Sequence, residues 1–362
     1  MGACGSTATG EIHRAKLLLL GAGGAGKSTI FKQVRLLALE GFDDQIRSES
    51  LVPVIQNIVE ACQKLVKISL KNGLPLSSAT MSSSEVIRSA RVSSGNEDLS
   101  SLKVAVKQIW KDPEIQKAFT LSLAESSSKD AVNANDDYFL NKSDEILTAG
   151  YVPTDEDILK LRRSTSGAHS LDFTFDPKKF GRGLDKGYSG KKNKTSHWTL
   201  TDVGGQIHER ATWYEEFADL DGVVFVLSLP DYDQQSQDNR SANKLVEDGI
   251  NLMLQVMRAD NLTDVPVCVL LNKFDIFVKK IAASTKGISE IFPEYKGDPQ
   301  NAEECAQYIE KFIHAEISKD SKVMKSFYVT QATDTEMIAN IIGKIIDNIS
   351  LQNMKNSGID VN

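Results

Sequence analysis

The sequence predicts an α/β fold: a parallel sheet with crossover helices, interrupted by a long block made of helices alone. Three observations predict it. Short apolar runs at 16–20 and 265–271 suit buried strands, and 197–201 is a further strand candidate. The first of them feeds a glycine-rich loop and then a helical pattern, the order strand, loop, helix. Residues from about 42 to 154 carry no strand signal.

Taken in order, Lys16-Leu17-Leu18-Leu19-Leu20 is the first strand. Gly21-Ala22-Gly23-Gly24-Ala25-Gly26-Lys27-Ser28 follows, with the spacing Gly-x-x-x-x-Gly-Lys-Ser, and Thr29 to Arg35 suits a helix. Glycines let a backbone wrap closely enough to aim its N–H groups at phosphate oxygens, and the helix N-terminus adds positive potential there. Lys27 suits β- and γ-phosphate charge, and the Ser28 hydroxyl suits Mg²⁺. In the helix-only block, Val52 to Val66, Leu102 to Trp110 and Tyr138 to Ala149 have helical apolar spacing. The serine-rich segment from Ser77 to Ser101 is expected to be a mobile loop. Asp176 to Thr195, rich in Gly and Lys, reads as an exposed insertion between two strands. Its basic cluster suits anionic lipid or a partner, and a solvated loop without a partner is the simpler reading.

Two further motifs leave strand ends. Asp202-Val203-Gly204-Gly205-Gln206 follows the strand at 197–201. There Asp202 suits water-mediated Mg²⁺, the Gly205 N–H a γ-phosphate, and Gln206 an attacking water. Asn272-Lys273-Phe274-Asp275 ends the run at 265–271. An acceptor-only carboxylate at Asp275 takes two N–H bonds from guanine, a pair adenine lacks. Each motif is weak alone; their order along the chain points to GTP and GDP with Mg²⁺.

With these residues the chain resembles a heterotrimeric G-protein alpha subunit along most of its length. Asp202 to Glu209, continued by Arg210 and Trp213, is similar to that family's second switch, and Tyr151-Val152-Pro153-Thr154 with Asp157-Ile158-Leu159 to its approach to the first. The segment Pro293-Glu294-Tyr295 and the last loop, Thr330 to Thr335, match as well. The resemblance implies a Ras-like P-loop GTPase domain (16–41 and 155–362, with the insertion at about 176–195) and a helical domain (42–154), behind a lipid-anchored segment (1–15). It implies catalysis by Gln206 with Arg162 as a cis arginine, and Mg²⁺ held by Ser28 and Thr165. Nucleotide contacts fall to Gly24, Ala25, Gly26, Lys27, Ser28 and Thr29, to Leu159, Lys160, Leu161 and Arg162, to Asp202 through Gln206, and to Asn272, Lys273, Asp275 and Ala332. It also implies a receptor of the G-protein-coupled class, a GTPase-activating regulator, an effector and a beta-gamma dimer as partners. Support for the dimer is weaker, because little chain precedes Lys16 and because Ile207, Ala211 and Thr212 stand where that switch is usually basic. Gly24 stands where the family has a glutamate.

Composition agrees. At 362 residues the chain can build two sizeable cores, and a net charge of −7 gives nucleic-acid binding little support. Four cysteines without Cys-x-x-Cys spacing argue against a disulfide framework or a zinc site. No run is long enough for a transmembrane helix and no secretory signal is present. Met1-Gly2-Ala3-Cys4-Gly5-Ser6 fits the myristoylation pattern with Gly2 as acceptor, and Cys4 suits palmitoylation. The expectation is a GTPase switch on the cytoplasmic face of the cell membrane. A non-hydrolysing nucleotide-dependent scaffold is the alternative, and a P-loop small-molecule kinase would leave Asn272 to Asp275 unexplained.

Overall fold

The computed structural model describes residues 14–93, 98–124, 132–133, 135–162, 167–180, 196–236, 239, 241–262, 264–284, 287–318 and 325–356. Six strands form one sheet: β1 (Arg14–Leu20), β2 (Ala168–Phe175), β3 (Ser196–Val203), β4 (Gly222–Ser228), β5 (Val267–Asn272) and β6 (Lys325–Val329). Their order is β2-β3-β1-β4-β5-β6. Only the β2–β3 pair is antiparallel. Burial explains the sequence patterns. Every residue of β4 and β5 is buried, so both read as continuous apolar runs, whereas edge strand β2 alternates at its C-terminal half. The chain leaves β1 toward β3 and leaves β4 toward β5. The crevice outside the carboxyl ends of β1 and β4 is therefore where such sheets bind ligands.

Helices cover both faces. Helix α1 (Lys27–Leu39) follows β1 directly. The helix-only block supplies α2 (Asp44–Lys71), α3 (Ser78–Ser89), α4 (Leu99–Lys111), α5 (Pro113–Ala124), α6 (Asp136–Asn141) and α7 (Ser143–Ile146), with α8 (Asp155–Lys160) at its exit. The rest are α9 (Leu252–Met257), α10 (Phe274–Ala283), α11 (Ala302–Ser318) and α12 (Thr335–Asn356). Ile30 and Val34 of α1 pack with Ile338, Ile342 and Ile345 of α12 on one face of the sheet. Trp213, Met253, Phe277 and Ile309 cover the other. A separate core, with Ile55, Ile58, Val106, Ile109 and Phe139, holds α2 to α7 together.

Of the serine-rich segment expected to be a loop, 94–97 lies outside the described residues, and Ser78–Ser89 is helix α3. Ser77 caps it by accepting the Thr80 N–H, buried Thr80 donates to Asp112 at 2.6 Å, and Ile87 is anchored in the helical core. Serine composition masked a capped helix with few apolar anchors. The segment Tyr138 to Ala149 is two short helices broken at Lys142 rather than one. Of the glycine- and lysine-rich insertion, 181–195 lies outside the described residues. Its start is pinned by Phe180, buried against Phe173 and Phe175.

A buried carboxylate ties the helical block to the exit helix. Asp157, fully buried, accepts bonds from the Tyr138 hydroxyl (2.8 Å), the Lys142 ammonium (2.9 Å), the Thr154 N–H (2.7 Å) and the Tyr151 hydroxyl. Burial alone raises its pKa. The bonds from Tyr151, Thr154, Lys142 and Tyr138 outweigh burial and hold it below the usual carboxylate range. Replacing Asp157 by Ala strands a largely buried Lys142 and two hydroxyls. The expected loss is about 3 kcal/mol of unfolding free energy in urea titrations; an unchanged midpoint would contradict the role given to this residue.

Candidate nucleotide site

The loop after β1 is shaped by its neighbours. Gly26 caps α1 with φ +111°, and a Cβ there would lie 2.2 Å from the Asn272 Nδ2. No L side chain fits that backbone and that space. Lys27, buried at the helix start, turns its ammonium back onto the loop, donating to the Gly21 carbonyl (2.8 Å) and the Ala22 carbonyl (3.1 Å). Burial pushes its pKa down to about 8, against the opposing pull of Asp202 and Glu209. A phosphate at this loop would supply the negative charge that a buried ammonium lacks. Ser28 and Thr29 open α1 beside it, and Ala25 is buried.

The loop after β3 closes on the same place. A Cβ at Gly205 would lie 2.2 Å from the Lys27 ammonium and 2.7 Å from the Gly21 carbonyl, so only glycine allows this approach. Gln206 is exposed, and its side-chain amide lies over Gly23. Its backbone N–H is held by Glu209 at 3.0 Å, while Trp213 donates to the Gly204 carbonyl at 2.7 Å. Val203 is buried at the end of the strand. Asp202 is 1% exposed, and its Oδ1 has no hydrogen-bond partner. Burial raises its pKa, with Lys27 and a bond from the Ser28 hydroxyl acting against that rise. No group of three or more His, Cys, Asp or Glu is placed to hold a metal among the described residues. The donor set here is different: one serine hydroxyl beside one orphaned carboxylate oxygen, which fits a hard cation that keeps most of its waters.

The third side is built by Asn272, which is fully buried. Its Nδ2 donates to the Ala25 carbonyl (2.9 Å), and its Oδ1 accepts the Ala332 N–H (3.0 Å) and the Thr330 hydroxyl (3.1 Å). One side chain thus ties the glycine-rich loop to the loop after β6. Gln33 of α1 adds a second tie to the Ala332 carbonyl at 3.0 Å. Lys273 sits in a left-handed conformation (φ +63°) at the start of α10, and desolvation lowers its pKa. Asp275 lies partly exposed in the first turn of that helix.

A family model for the G-protein alpha subunit matches residues 6–349. The chain belongs to the G-protein alpha subunit family. It is 30% identical to the guanine nucleotide-binding protein alpha-17 subunit of Caenorhabditis elegans, over 95% of this chain and 90% of that one. It is 29% identical to the alpha-7 subunit of the same organism over the same shares. The alpha-17 subunit of Caenorhabditis briggsae matches at 30%. Membership makes this a guanine nucleotide-binding signalling protein, and the Ras-like domain with an inserted helical domain is the fold the sequence predicts.

The candidate alpha-subunit residues do not all converge through their side chains. Leu159 is buried against Phe42 and Ile158, and Leu161 in the helical core. Lys160 pairs with Glu156 at 3.1 Å and lies 4.2 Å from the Tyr138 ring centroid. These three side chains help to secure the segment. Arg162 donates to Asn133 of the helical block. Thr165, Gly2 and Cys4 lie outside the described residues. Sequence reasoning placed Thr330 in the last loop without giving it a role, and it missed Gln33. A glutamine on the buried stripe of α1, among Lys27, Ile30 and Val34, was the available signal for the second.

Replacing Gly26 by Ala should displace Asn272 and open the loop. The expected outcome is a loss of GDP affinity of about 5- to 150-fold in fluorescence titration, as a penalty of ~1–3 kcal/mol for a strained backbone implies. Undiminished affinity would contradict the close packing.

Proposed function

We propose that this chain hydrolyses GTP with Mg²⁺ and signals through the difference between its GTP and GDP states. The observation that carries the reading is the placement of the Gln206 amide over Gly23, with the Gly205 backbone packed against Lys27. In this arrangement Lys27 and the loop N–H groups take the phosphate charge, and the Gly205 N–H bonds the γ-phosphate. Gln206 orients water, and Arg162 answers the charge that develops in the transition state. Asp275 reads the guanine N–H pair, and the Ala332 region closes over the base. Ser28 and Thr165 would hold the Mg²⁺, with Asp202 reaching it through water, and the ion would neutralise phosphate charge. Loss of the γ-phosphate frees both switch segments, and that release is the signal.

Around this switch we place a G-protein-coupled receptor, an effector, a GTPase-activating regulator and, with the least support, a beta-gamma dimer. Residues Met1 to Ser6 support acylation at Gly2 and Cys4 and residence on the cytoplasmic face of the cell membrane. One acyl chain binds a bilayer only marginally, and two anchor it. No helix among the described residues is long and apolar enough to cross a membrane.

Gln206→Leu and Arg162→Cys should each retain GTP binding and lose single-turnover hydrolysis. The cis arginine is this family's known device, and its worth, on the order of 10³-fold, is the family's figure rather than one read from this chain. Parent-rate hydrolysis by both variants, or equal turnover of ATP by the parent, would overturn the reading. Gly2→Ala should move the protein from the membrane to the soluble fraction. An unmodified N-terminus in mass spectra of the native protein would remove the anchor.

A further inference from the structure

The aim of Arg162 is set from the helical block. The backbone leading to it is fixed on both sides: Lys32 of α1 donates to the carbonyls of Ile158 (2.9 Å) and Leu161 (2.8 Å), and the Leu161 side chain is buried in the helical core. The side chain itself is long and rich in rotamers, so its direction has to be imposed. Its bond to the Asn133 Oδ1 imposes it. Asn133 is in turn held by Asp136, which is buried at the start of α6 and accepts the Asn133 N–H at 2.8 Å and its Nδ2 at 3.3 and 3.4 Å. A guanidinium only donates, so the amide must turn its oxygen to Arg162 and its N–H groups to Asp136. Burial raises the pKa of Asp136, and the bonds from Asn133 together with the charges of Lys64 and Arg162 act against that rise. From the glycine-rich loop, exposed Gly24 offers no side chain to compete.

We propose that Asn133, oriented by Asp136, is a positioning residue that presents Arg162 to the transferring phosphate, so that the helical block sets the hydrolysis rate. The proposal rests on the reading of Arg162 as the charge-stabilising group. A misplacement of about 1 Å in such a group can cost up to about 100-fold in rate.

The test is a double-mutant cycle on the full chain, with single-turnover GTP hydrolysis and the affinity for a fluorescent GTP analogue read in parallel. Asn133→Ala should slow hydrolysis by about 10- to 100-fold and leave affinity within about twofold. In the Arg162→Ala background it should change nothing further. Asp136→Asn, which can turn an N–H toward Asn133 and let its amide flip, should act in the same direction. Slow hydrolysis in Arg162→Ala with a parent rate in Asn133→Ala overturns the proposal and leaves the reading of Arg162 standing. Equal slowing by Asn133→Ala in both backgrounds, or a loss of affinity matching the loss of rate, also overturns it. A parent rate in Arg162→Ala removes the reading itself, and the proposal with it.

Discussion

The buried Asn272 side chain is the knot on which the site depends. It spends its amide on three partners from two distant loops: the Ala25 carbonyl, the Ala332 N–H and the Thr330 hydroxyl. Each such bond nets about 1 kcal/mol, but leaving its buried partners unmade costs more, about 1–3 kcal/mol apiece. The geometry around it is equally unforgiving. Gly26 has no Cβ because Asn272 occupies that space. The glycine-rich loop and the loop after β6 are therefore one mechanical unit. A ligand that orders either one meets the other already in place, so less ordering entropy remains to be lost on binding.

Around this knot the structure tolerates charges that do not favour the empty protein. Lys27 is buried with its pKa pushed down, and Asp202 is buried with its pKa pushed up and one oxygen unpartnered. On the proposed function, both penalties would be relieved by the same event, the arrival of phosphate with a cation. Binding to the folded state alone then stabilises it by mass action. The Asp157 cluster shows the opposite arrangement. There a buried carboxylate has all its bonds within the protein, and it anchors the exit from the helical block rather than answering a ligand.

Much of this was legible in the sequence, for physical reasons that can be named. Strands β1 and β5 announce themselves because central parallel strands are buried on both faces, and the glycine-rich loop because its backbone must curl. Helix α3 was not legible, since its stability comes from the Ser77 cap and from Asp112, 32 residues beyond Thr80, rather than from an apolar stripe. The resemblance assigned Leu159, Lys160 and Leu161 to the nucleotide; no sequence pattern showed that tertiary packing also engages their side chains. Asn272 was read as a base-recognition residue; its cross-loop bonds depend on partners 247 and 60 residues away that no local pattern reveals. Asn133 carries no local signature at all, because its importance arises only when α6 and the segment after α8 meet.

Amide hydrogen exchange of the nucleotide-free Asn272→Ala variant, resolved by mass spectrometry, tests the knot most directly. The expected result is faster exchange in two segments at once, residues 21–28 and residues 330–333, with the interior of β1 and β4 unchanged. Exchange that rises only around residue 272, with the glycine-rich loop as protected as in the parent, would contradict the coupling of the phosphate side to the base side.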